Sequence, residues 1–145
     1  MGNSVERYEK SVVLIRLLVG WVFLSEGIQK FLDASALGVG RFERIGIPAP
    51  GVMAPVVGGV EVVFGILVLV GLFTRWSAVP LLGVITGALV TTKVPFFLKH
   101  GFWAVLHEAR TDVSMLLGLI FLILVGGGSL ALDARLHPRD KRSSA

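Results

Sequence analysis

Between Ser11 and Asp33 the chain reads SVVLIRLLVGWVFLSEGIQKFLD, a run apolar enough for lipid that nevertheless carries Arg16, Glu26 and Lys30. A charged side chain at the centre of a spanning helix costs about 2.5 to 3.5 kcal/mol on insertion scales. Such residues are therefore expected to turn towards partners or a wet cavity, not towards acyl chains. The pattern recurs in VVGGVEVVFGILVLVGLF, residues 56–73, where Glu61 is the only charge. Lipid offers backbone groups no hydrogen-bonding partner, so both runs must fold as helices that satisfy their own amides.

With 145 residues, 54% of them hydrophobic and 17% charged, the chain is too apolar for a soluble domain of its size. It reads as one integral membrane domain over residues 1–136, followed by a polar, disordered tail over 137–145. There is no cysteine, which excludes thiol-disulfide exchange and thiolate metal sites; a redox role needs a bound cofactor or a partner. The net charge of +4 lies mostly at helix ends and in the tail, where Arg135, Arg139, Lys141 and Arg142 would meet anionic headgroups. No basic patch interleaved with aromatics points to nucleic acid. Arg7 and Lys10 before an apolar run resemble a signal peptide, but Arg16 interrupts that run and no A-x-A site follows, so cleavage is not expected.

Four spans are predicted, over about 10–32, 52–73, 76–97 and 113–132, giving an all-α, antiparallel four-helix bundle. Met1 to Glu9 is expected to lie polar on the cytoplasmic surface. The GLFTRW turn makes spans two and three antiparallel neighbours, with Thr74 the predicted N-cap of span three and Pro95 the residue that kinks or ends it. Phe102, Trp103 and Leu106 predict an interfacial helix over 98–110. Lysine and arginine are more numerous on the side holding the termini, which the positive-inside rule makes cytoplasmic. Glu26, Lys30, Lys93, Asp112 and Glu61 would then gather around a polar pocket in the outer half of the bundle.

Three linked segments resemble the DoxX family of small four-helix membrane proteins. RLLVGWVFLSEGIQKF, 16–31, is similar to the family's opening helix. GIPAPGVMAPVVGGVEVVFGILVLVGLFTRWSA, 46–78, resembles its Pro-x-Pro segment, helix-two glutamate and Gly-Leu-x-Thr-Arg turn. GGGSLALD, 126–133, is similar to its closing Gly-Pro-Gly and Leu-Asp element, with Gly127 in place of the proline. The resemblance implies a multi-pass protein of a bacterial or archaeal cytoplasmic membrane. It also implies association with quinone-linked oxidation and other membrane or redox subunits.

On that basis Arg16, Glu26, Lys30, Glu61 and Lys93 are the residues expected to contact a quinone head or relay its protons. Each also has a plainer reading. Arg16 sits near a helix end and can snorkel. Glu26 and Lys30, spaced i and i+4, can pair within one helix. Lys93 is either an interfacial anchor or the partner of Glu61 or Glu26. Glu61, about 12 Å below the surface, has no such escape and must be protonated, paired or solvated. His100 and His107 beside Glu108 are poor evidence for a metal site, and no facing histidines suit a haem. The competing function is a noncatalytic accessory protein that stabilises a membrane complex through its small-residue faces; either function admits a homo-oligomer.

Overall fold

The computed structural model describes residues 2–136, so the tail expected over 137–145 lies outside the described residues. Helix α1, Gly2–Leu32, is followed by a short surface helix α2, Val39–Arg44, then by α3, Pro50–Val70, and α4, Thr74–Ala88. A π-helical turn, Leu89–Lys93, joins α4 to α5, Val94–His100. The chain closes with α6, Phe102–Glu108, α7, Arg110–Val125, and α8, Leu132–Leu136. No strand occurs among the described residues.

Three helical stretches are long and apolar enough to cross a membrane: Val5–Leu32, Pro50–Val70 and Thr74–His100. The fourth apolar helix, α7, has 16 residues and is only about 24 Å long. It was expected to run to Leu132. Gly126 and Gly128, both at positive φ, instead end it and lead into a non-helical segment. The polar N-terminal residues from Gly2 onwards belong to α1 and do not form a separate surface segment.

Helix α1 packs on α3, α3 on α4, α4 on α7, and α7 returns to α1. Val19, Phe23, Val68, Leu81, Ile85, Met115, Leu119 and Leu122 form the core between them. Outside that core the long helices present bare apolar side chains, among them Leu14, Trp21, Val63, Ile66, Leu117 and Leu124. That surface suits lipid and not water.

Pro95 does not end the third apolar stretch. Its missing N–H and ring break the regular ladder, and the preceding residues widen into the π turn so that the helix carries on to His100. The expected interfacial helix is in two pieces, broken at Gly101, with Phe102, Trp103 and Leu106 exposed.

Candidate functional site

The antiparallel pair α1 and α3 approaches through facing glycines. A β-carbon on Gly20 would lie 2.9 Å from the Gly65 carbonyl oxygen, and one on Gly27 would lie 2.8 Å from that of Gly58. Lys30 stands three residues beyond Gly27, and Glu61 three beyond Gly58. Side chains lean towards the N-terminus of their own helix. On antiparallel neighbours these two therefore lean towards each other, over the Gly27–Gly58 contact. Lys30 Nζ lies 2.7 Å from Glu61 Oε2 as a result, with the Glu61 residue only 4% exposed.

The pair is close but not well directed. Glu61 Oε2 has a cation beside it and yet makes no hydrogen bond of good angle among the described residues. Glu26, half-exposed, completes the cluster with Oε2 3.7 Å from the same Nζ. The intrahelical pair thus exists, but Lys30 is held more closely by Glu61.

Lys93 joins neither acid. Its Nζ lies 3.2 Å from Asp112 and 3.3 Å from Glu108, forming a second lysine with two carboxylates where α5, α6 and α7 meet. The π turn that ends at Lys93 sets this register. Both clusters lie at the end opposite the N-terminus of α1, as the placement of Lys30, Glu61, Lys93 and Asp112 along their helices requires.

Arg16 is at the other end and is 3% exposed. It neither snorkels nor faces Lys30 and Glu61. Its Nε donates to the Val68 carbonyl at 3.1 Å, Nη2 to Leu69 at 2.8 Å and Nη1 to Gly127 at 3.0 Å. The first two are among the last carbonyls of α3, which have no partner inside that helix. Arg16 therefore caps α3 and ties it to the segment after α7.

Two residues that were not singled out as site residues complete this end. Asp133 accepts from the N–H groups of Phe73 at 2.9 Å and Thr74 at 3.2 Å, capping α4 from 60 and 59 residues away. Arg75 Nη2 donates to the last carbonyls of α7, Leu124 at 3.1 Å and Val125 at 3.3 Å. Thr74, expected to be the N-cap, does not cap: its Oγ1 is buried and makes no hydrogen bond among the described residues. The sequence signal for Arg75 and Asp133 was their place in the Thr-Arg turn and the Leu-Asp element, without an assigned role.

A cavity of about 690 Å³ opens at this same end, lined by Glu9, Thr74, Arg75, Trp76, the Gly126–Ser129 segment and Asp133 with neighbouring apolar residues. The polar pocket was expected at the opposite end. Among the described residues no three metal-ligating side chains gather.

A family model, DoxX, matches residues 11–94. The chain is 58% identical to an uncharacterized membrane protein of Mycobacterium tuberculosis, Rv3486, over 89% of this chain and 83% of that protein. It is 34% identical to a Bacillus subtilis protein named "Putative oxidoreductase CatD", over 87% of each. An uncharacterized protein of Haemophilus influenzae is 29% identical, over 94% of this chain and 99% of that protein. No solved structure matches.

Proposed function

The chain belongs to the DoxX family of membrane proteins, and from that premise we propose that it is the membrane subunit of a quinone-linked oxidoreductase. In this reading α7 is a fourth span, the bundle sits in the cytoplasmic membrane with its termini inside, and Lys30, Glu61 and Glu26 face the outer half. The single observation that carries it is Glu61, buried beside Lys30 with an oxygen that finds no well-directed hydrogen bond. A quinone, when bound, supplies an acceptor of two electrons and two protons. The lysine ammonium suits one of its carbonyl oxygens as donor, and the adjacent carboxyl group holds or passes a proton. Lys93 with Asp112 and Glu108 offers a second polar station at that end. Arg16, spent on three carbonyls, is left out of the head-group site. Electrons must come from a bound cofactor or a partner subunit, since the chain has no cysteine. The Bacillus subtilis relative's name supports the oxidoreductase class.

The test is quinone content. Protein extracted with its native lipids should retain quinone, and Glu61→Gln or Lys30→Met should lose most of it while remaining folded. Wild-type protein that retains none, in membranes showing no quinone-dependent oxidation, would overturn the reading.

One observation favours the accessory role instead. Gly83 and Gly87, one turn apart on α4, face open space. A glycine pair at that spacing on an apolar helix is where another spanning helix packs. Gly83→Leu would then release a partner complex, whereas Glu61→Gln would not.

A further inference from the structure

The short helix α2 covers the end of the bundle that holds Lys30 and Glu61, and the chain fits closely there. Phe42 is buried where α2 packs on α3. A β-carbon on Gly38 would overlap the Lys30 carbonyl oxygen, so the chain turns into α2 directly against the part of α1 that carries the lysine. Arg44 pins this turn, with Nη1 donating to the Ser35 carbonyl at 3.1 Å and Nη2 to that of Ala36 at 2.6 Å. Asp33 Oδ1 accepts from the Ser35 hydroxyl and the Ala36 N–H, each at 3.0 Å.

Arg41, one turn before Arg44, is not spent in this way. It is half-buried, and its guanidinium makes no hydrogen bond and no ion pair among the described residues. Its charge is nonetheless felt at the buried Glu61 carboxyl. Charge balance is consistent with that position. Lys30 alone faces two carboxylates, Glu61 and Glu26, and a second cation brings the four groups to neutrality.

Donors at this end are unequally used. Lys30 Nζ has Glu61 Oε2 at 2.7 Å, the Glu26 carbonyl at 3.5 Å and Glu26 Oε2 at 3.7 Å around it, so each of its three N–H bonds has an acceptor at hand. Arg41 carries five N–H donors in a planar fork and uses none of them on the described residues. Partly buried donors without an acceptor call for one. Phe31 supplies an aromatic neighbour: a β-carbon on Gly58 would lie 2.9 Å from Phe31 Cε2, and the residue is otherwise 52% exposed. A ring with more than one acceptor oxygen suits this combination.

We propose that Arg41 binds the second ring oxygen of the quinone head and so selects a dione, with the first oxygen on Lys30 and the ring beside Phe31. This assignment rests on the quinone reading and adds to it a residue from α2, outside the spans. Arg41 is then the guanidinium of the site, the place that had been expected of Arg16.

The experiment measures equilibrium binding of two soluble probes to the full-length protein in detergent: menadione, whose ring has two carbonyls, and α-tetralone, which keeps one. Wild type should prefer menadione by about tenfold, the worth of one charge-assisted hydrogen bond. Arg41→Gln should bind the two about equally, with its α-tetralone affinity near that of wild type, because a lone oxygen goes to Lys30. The variant should also melt close to wild type, since it removes no hydrogen bond among the described residues. Wild type without the preference, or Arg41→Gln that keeps it even with both affinities lowered, would overturn the role of Arg41; the quinone reading would stand as long as native quinone is retained. Wild type that binds neither probe and retains no native quinone would overturn both.

Discussion

Asp133 reaches 60 residues back along the chain to accept the Phe73 N–H at 2.9 Å, and so supplies the cap that α4 lacks in its own sequence. Phe73 holds a left-handed backbone at φ 47°, a conformation that costs an aromatic residue free energy and persists only where its surroundings fix it. A carboxylate on two helix N-terminal amides is a charge-assisted cap, aided by the helix dipole. The turn between α3 and α4 is thus set by a residue after α7, which locks the two halves of the chain together.

Asp133→Ala should therefore destabilise the protein by about 1 to 2 kcal/mol, the usual cost of losing a cap. Asp133→Asn, which keeps one acceptor oxygen, should fall between that variant and wild type. Thermal unfolding in one detergent measures both.

Arg16 yields a different pattern. Three hydrogen bonds from one guanidinium, one buried and two partly buried, leave three carbonyls and a charge poorly satisfied when it is altered, so Arg16→Lys should cost about 2 to 4 kcal/mol. The planar fork that reaches Val68, Leu69 and Gly127 together has no equivalent in an ammonium group. Quinone content per folded molecule should not change. A variant of normal stability that had lost its quinone would return Arg16 to the binding site.

Much of this arrangement is legible in the sequence, and what is not follows one rule. Arg16 and Glu61 announce themselves as charges at lipid depth, and both turn inward. Lys30 has an acid at i−4 in plain view, but its closer partner depends on the antiparallel lean over the Gly27–Gly58 contact, which no local spacing reveals. Lys93 is placed by a π turn, a register change written in Pro95 only after the fact. Thr74 has the right residue type for an N-cap, yet a carboxylate on a distant segment competes for the same amides and wins. The fourth apolar run is shorter than its hydropathy suggests because Gly126 and Gly128 take positive φ. Charge in lipid is a local signal; the partner of each charge is a tertiary fact.

The glycines divide by what surrounds them. Gly27 meets the Gly58 carbonyl and Glu61 Cβ, so Gly27→Val should separate α1 from α3 and weaken the Lys30–Glu61 pair. Gly83 and Gly87 meet nothing within 4 Å. Gly83→Ala should stabilise the isolated protein by about 0.5 to 1 kcal/mol through helix propensity alone. Melting temperatures that fall for Gly27→Val and rise for Gly83→Ala would bear out this division.

The ion pair itself is best tested by a double-mutant cycle. Glu61→Gln leaves Lys30 buried with only the half-exposed Glu26 for compensation, and Lys30→Met leaves Glu61 buried with no ion-pair partner among the described residues, Arg41 being the remaining cation that acts on it. Removing one member of a buried pair typically costs about 3 to 5 kcal/mol, whereas replacing both by neutral groups of similar volume is near neutral. Lys30→Met should therefore be the costlier single change. The double variant Lys30→Met with Glu61→Gln should recover most of the loss, so that the coupling energy by thermal unfolding approaches the sum of the two single losses, about 6 kcal/mol or more. The same double variant should nevertheless bind no quinone, because the stability cycle needs only charge balance while the proposed chemistry needs an ammonium donor and a carboxyl group together. Additive losses would mean the two side chains do not share a buried environment, and the position of the proposed site would have to move with them.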